Sequence, residues 1–223
     1  MRSKKYNTLN DPDRFREMAQ GDAANDAQDI NVEYVDAEEE ERGGSVLLDW
    51  IKEILLAVVI ALIVMQFIKP TIVKQRSMEP NFYTNDYLLV SKQAYTLFSK
   101  APEMGDVIIF ETEMKTENGE EKLLIKRVIG LPGDVISIKE GKVSVNGIEI
   151  DDSYTLEQET YGDIEDLVVP EHKVFCLGDN RRVSVDSRSS EVGFIDFDNI
   201  IGKAVFRLFP FDRFGTIDNP YKE

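Results

Sequence analysis

Two residues of this 223-residue chain carry the strongest chemical signal: Ser77 in "QRSMEP" and Lys126 in "LLIKRVIG". A serine hydroxyl becomes a useful nucleophile only beside a base, with donors aimed at the oxyanion that develops on attack. The chain has one histidine, His172. It sits among charged neighbours in "PEHKVF", where a turn enters a strand, and reads as an exposed strand-edge residue. Hydrolysis here therefore uses that one imidazole or none. Lys126 offers the alternative. Strand alternation puts Leu124, Lys126 and Val128 on one face and Ile125 and Arg127 on the other. An ammonium among aliphatic side chains is desolvated, so its pKa falls from about 10.4, and a neutral amine is a general base. The residues alone leave a plainer reading open for each: a lysine whose head reaches water, and a serine that is a surface hydroxyl.

Three further loops combine turn formers with groups that are costly to bury: Gly105-Asp106, "IKRVIGLPGD" at 125–134, and "GDNRRVSVDSR" at 178–188. In the last, Asp186 and Arg188 can pair and pin the loop, and Ser184 can hydrogen-bond a nearby amine. The loop lacks the glycine spacing and Lys-Ser/Thr pair of a phosphate cradle. Asp179, Asn180 and Asp186 do not match a calcium loop. The single Cys176 excludes an internal disulfide and a cysteine-based zinc site, and in the apolar run "KVFCLGDN" it reads as a small buried hydrophobe. The formal charge of -16 argues against a nucleic-acid partner, which would need clustered Lys and Arg.

These loops need elements to position them. Residues 1–45 are acidic and aperiodic, closing on "DAEEEERGGS", and predict a disordered tail. The stretch 46–69, "VLLDWIKEILLAVVIALIVMQFIK", predicts one transmembrane helix, with Trp50 at the headgroups and Lys52 and Lys69 snorkelling outward. Residues 70–223 predict a single β-rich domain. Its candidate strands are "DYLLVSK", "GDVIIFET", "KLLIKRVIG", "DVISIKEGKVSVNGIEI", "KVFCLGD" and "KAVFRLFP", with a short helical piece at 92–99. Asn146-Gly147 suits a two-residue hairpin turn. Ser77 lies within about 30 Å of the end of the helix even if the linking chain is fully extended, so it works near the bilayer surface.

In this order the segments resemble the bacterial type I signal peptidases. "SMEP" is similar to that family's nucleophile box, "GDVIIF" to the strand box that follows, "KRVIGLPGD" to its lysine box and "GDNRRVSVDSR" to its last box. The resemblance implies a membrane-anchored Ser/Lys dyad serine protease that removes signal peptides from exported preproteins. It implies Ser77 as nucleophile, Lys126 as unprotonated base, Ser184 as the residue orienting the lysine, and Asp186 with Arg188 as a structural ion pair. Met78, with Pro80, would line the substrate pocket. The implied fold is mainly β: a large, mostly antiparallel catalytic domain behind one transmembrane helix. The implied partners are preproteins and the lipid bilayer, with no obligate protein partner, and the resemblance implies no metal and no cofactor.

The chain departs from the family pattern at three points. "PNF" follows Glu79 where Pro-Thr-Leu is common, and Asn85-Asp86 stands where Gly-Asp is usual. Gln75 replaces the glycine or serine two residues before the nucleophile. The oxyanion donors expected are therefore the Ser77 N–H and the Gln75 side-chain amide. Lys69, Lys74 and Arg76 favour a cytoplasmic C-terminal side, whereas the resemblance places the domain outside the bacterial cytoplasmic membrane with the N-terminus inside. Lys4, Lys5, Arg14, Arg16, Arg42 and Lys52 supply charge for the second arrangement. Two alternatives stay open: a specialised protease for a few dedicated secreted substrates, and an inactive membrane-anchored homologue that binds extended peptides.

Overall fold

The computed structural model describes residues 33–95 and 101–222, with side chains from residue 46 onward. The expected short helix at 92–99 falls partly outside them; residues 92–95 form a turn. The part of the tail before residue 33 also lies outside. From Glu33 the chain is helical, so residues 33–45 are not the disordered segment expected: α1 runs Glu33–Phe67. Glu and Ala are strong helix formers, and acidic groups near a helix N-terminus suit its dipole.

Among the described residues no helix is long and apolar enough to cross a membrane. This corrects the expected span at 46–69. Asp49, Lys52 and Glu53 interrupt its first turns, and the helix stops at Phe67 because Ile68–Ile72 form strand β1. The uncharged stretch 54–67 therefore measures about 21 Å at 1.5 Å per residue, short of a hydrocarbon core of about 30 Å. The chain divides into two compact units, Met1–Ile60 and Ala61–Glu223.

The second unit is mainly β, as expected, and every strand pairing is antiparallel. After β1 come β2 (Tyr87–Ser91), β3 (Val107–Lys115), β4 (Glu121–Gly130), β5 (Val135–Lys139), β6 (Lys142–Val145) and β7 (Ile148–Glu149). They are followed by β8 (Ile164–Val168), β9 (Lys173–Leu177), β10 (Ile195–Asp196), β11 (Ile200–Phe209) and β12 (Gly215–Thr216). The larger sheet has the order β1-β2-β11-β3-β4-β9-β10 with β12 on β11, and the smaller has β7-β6-β5-β8. Val145 faces Ile148 across the Asn146-Gly147 turn, both of whose residues have positive φ, as a primed turn requires.

Strand alternation sorts the core. Val107 and Ile109 point into one cluster with Met78, Phe82, Leu88 and Val90. Ile108 and Phe110 point into another with Leu124, Val128, Val174 and Cys176. Lys126 lies directly opposite Ile108 in the β3–β4 ladder, between Leu124 and Val128 of its own strand. The fold thus builds the aliphatic wall that the pattern predicts around this lysine.

Candidate active site

Ser77 ends the loop that leaves β1. Val73 is fixed there by its N–H bond to the Asp86 carbonyl, and the turn closes through Phe82 N–H to Met78 O. Asn85, standing where the resemblance expects glycine, has a φ of 72°. Asparagine is one of the few non-glycine residues that tolerate this region, so the departure is conformationally neutral. Ser77 is buried, and Lys126 is 0% exposed.

The two meet. Lys126 Nζ lies 2.7 Å from Ser77 Oγ and 2.9 Å from the carbonyl oxygen of Ile125. Desolvation lowers the Lys126 pKa to about 8, opposed by attraction to Asp186 and Asp179. Burial wins because none of those groups pairs with the ammonium directly. Burial likewise drives the fully buried Cys176 thiol well above its usual range, so it stays protonated and inert. His172 is exposed and stacks edge-on against Phe197, with no hydrogen bond to either member of the pair.

The last loop is fastened beneath this contact. Asp186 accepts from the Gly178 N–H at 3.0 Å and from the Arg188 guanidinium at 2.8 Å through each of its oxygens. Arg188 also donates to the carbonyls of Tyr161 and Arg181. The expected ion pair is therefore present. Gly178 has no room for a side chain: a Cβ there would stand 2.2 Å from Ser184 Oγ and 2.4 Å from the Ser77 carbonyl oxygen. Ser184 does not hydrogen-bond Lys126; its buried hydroxyl has no partner among the described residues.

The structure places other expected site residues differently. Met78 is 0% exposed and belongs to the core, so it does not line a pocket. Pro80 follows a cis peptide bond in the turn and also lies off the cavity. Consecutive residues on a tight turn diverge, and tertiary packing took the methionine. The cavity that does open beside Ser77 encloses about 720 Å³. Gln75 and Asn180 border it, with apolar walls from Met114, Leu124, Leu156, Val183 and Val185. Of these, Val183, Val185, Met114 and Leu156 were not foreseen; Val183 and Val185 carry a usable signal, being apolar residues flanking Ser184 in an otherwise polar loop, whereas Met114 and Leu156 carry none.

Residue-by-residue reading also missed a buried polar network. Arg127 forks onto Asp179 at 2.9 and 2.7 Å and stacks over the Tyr154 ring. Asn81 adds a third bond to Asp179, tying the serine turn to the same carboxylate. Arg181 pairs with Asp152 and donates to Thr160 and the Tyr154 hydroxyl. Among the described residues no cluster of His, Cys, Asp and Glu could hold a metal ion.

The family model described as signal peptidase, peptidase S26, matches residues 47–209. The chain belongs to this family. A signal peptidase I P from Bacillus subtilis subsp. natto is 34% identical over 188 residues, covering 79% of this chain and 96% of that protein. A signal peptidase I from Leptolyngbya laminosa is 36% identical, with 80% and 88% covered. Among solved structures, a signal peptidase I from Enterococcus faecalis V583 is 28% identical, covering 47% of this chain and 97% of that one, with a TM-score of 0.38. The chain is a serine peptidase of the signal peptidase I type.

Proposed function

We propose that Ser77 and Lys126 form a Ser/Lys dyad that cleaves signal peptides from exported preproteins at a membrane surface. The observation that carries this is the 2.7 Å approach of a fully buried amine to the Ser77 hydroxyl. With a pKa of about 8, a useful fraction of Lys126 is neutral near physiological pH. The hydroxyl then donates its hydrogen bond to the amine.

In the proposed cycle Ser77 Oγ attacks the scissile carbonyl carbon and its proton passes to Lys126 Nζ. The tetrahedral intermediate collapses, the C–N bond breaks, and Lys126 returns the proton to the leaving amine. Lys126 next takes a proton from water, whose oxygen attacks the Ser77 ester; the C–Oγ bond breaks, the acid product leaves, and Lys126 returns the proton to Ser77 Oγ. The Ser77 N–H is one oxyanion donor; it donates to no carbonyl of the described chain. The Gln75 amide, half-buried at the cavity edge and without a bonded partner among the described residues, is the second. Ser184, with its unsatisfied hydroxyl, is the amine's second contact during turnover, and Asp186 with Arg188 supports the loop that carries it.

Membrane attachment rests on α1, whose apolar side chains are exposed on all sides: Leu47 at 63%, Leu55 at 62%, Leu62 at 57%. A bilayer supplies the cover this surface lacks. The reading puts residues 70–223 outside the bacterial cytoplasmic membrane, where exported preproteins arrive. Substituting Ser77→Ala or Lys126→Ala in the purified full chain should each abolish cleavage of a preprotein while leaving it folded. Retained turnover in either variant overturns the dyad.

A further inference from the structure

Asn180 is 3% exposed, borders the cavity beside Ser77, and lies in the loop that follows β9 (Lys173–Leu177). Its backbone N–H donates to the Ser77 carbonyl at 3.0 Å. Its side-chain Nδ2 donates to the Arg76 carbonyl at 3.2 Å. One residue therefore holds two successive carbonyls of the serine loop. That bond also fixes the orientation of the carboxamide, leaving Oδ1 as a buried acceptor without a partner.

The Arg76 carbonyl and the Ser77 N–H belong to the same peptide group. In a trans peptide these two bonds point in opposite directions. Holding Arg76 O against Asn180 therefore aims the Ser77 N–H the other way. A rotation of this peptide would carry the N–H off its target and put a carbonyl in its place. The remaining restraint on Arg76 O is the Glu79 N–H at 3.3 Å, a long bond within the same turn. A Cβ at Gly178 would stand 2.4 Å from the Ser77 carbonyl oxygen, so the peptide beyond the serine is closely packed as well.

We propose that Asn180 is a positioning residue: by holding the Arg76 carbonyl, its carboxamide sets the orientation of the peptide whose Ser77 N–H stabilises the oxyanion. The inference rests on the Ser77 nucleophile proposed above and adds a residue that never touches the reacting atoms. Its signature is a loss confined to the transition state, because the ground-state carbonyl demands less of the donor than the oxyanion does.

The test compares Asn180→Leu, which keeps the volume and removes the donor, with Asn180→Ala, which removes both, in the full chain with a preprotein substrate. The expected result in each is a fall in kcat of about 10²-fold, the scale set by loss of one oxyanion donor, with KM within about twofold of wild type. The pH at which activity rises should not move, since Lys126 is untouched. A kcat at wild-type level, or a loss carried by KM, overturns the proposal. So does failure of both variants to fold, which would make the residue structural. Ser77→Ala run alongside keeps the two readings apart: cleavage in that variant sinks the dyad, whereas an inert Ser77→Ala beside fully active Asn180 variants sinks only the peptide lock.

Discussion

Replacing Lys126 with methionine removes the cation while roughly keeping the length of the side chain, and should produce an inactive but more stable protein. The size of the effect follows from the shift. A pKa lowered from 10.5 to about 8 means the folded state disfavours the ammonium by about 3 kcal/mol, at 1.36 kcal/mol per pH unit. The folded-state pKa lies below the unfolded one, so between about pH 8 and 10.5 the unfolded chain binds more protons and stability rises with pH. Below pH 8 both states are protonated and the full penalty is present. The methionine variant carries no such penalty at any pH. Its advantage should thus be largest at pH 7, equivalent to about 6–12 °C in Tm, and should shrink by about 3 kcal/mol towards pH 10.5. The lost hydrogen bonds to Ser77 Oγ and Ile125 O alter the offset between the two proteins, not its change with pH. Denaturant or thermal unfolding of both full-length proteins across this range provides the measurement. A stability difference that does not vary with pH refutes the reasoning, because it means that burial leaves the amine's proton affinity unchanged.

Other outcomes follow from the same geometry. Asp179→Ala strands Arg127, whose side chain is 3% exposed, without its counter-charge, and should destabilise the fold by about 3–5 kcal/mol in equilibrium unfolding. Gly178→Ala forces the new Cβ against Ser184 and the Ser77 carbonyl, and should lower kcat/KM by about 10²-fold in a peptide-cleavage assay through displacement of the serine loop. Substituting Leu55, Leu62 and Met65 by Ser, all exposed on α1, should release the chain from membranes in flotation assays without changing cleavage of a soluble peptide.

Legibility in the sequence followed the range of the interactions. The environment of Lys126 was readable because Leu124 and Val128 flank it on the same strand face, and the β6–β7 turn was readable in Asn146-Gly147 alone. Strand β1 was lost because Ile68 continues an apolar run; it becomes a strand only by pairing with Ser91 of β2. Strand β8, "IEDLV", was missed because Glu165 and Asp166 break the apolar pattern, and its pairing with β5 is non-local. Met78 shows the limit most plainly, since nothing beside Ser77 reveals that its side chain turns into the core. Arg127 could be placed on the strand face opposite Lys126, but its partner Asp179 lies 52 residues away and could not be chosen from spacing. The Gly178 cradle and the two carbonyl bonds of Asn180 exist only once β9 lies beside the serine loop.

Acylation of Ser77 in a single turnover, followed against pH with a preprotein-derived substrate, tests the central claim most directly. The rate should rise tenfold per pH unit and level off above about pH 8, where the Lys126 amine is neutral. A rate that is flat from pH 6 to 9, or that inflects near 6.5 as an imidazole would dictate, contradicts an amine-activated serine.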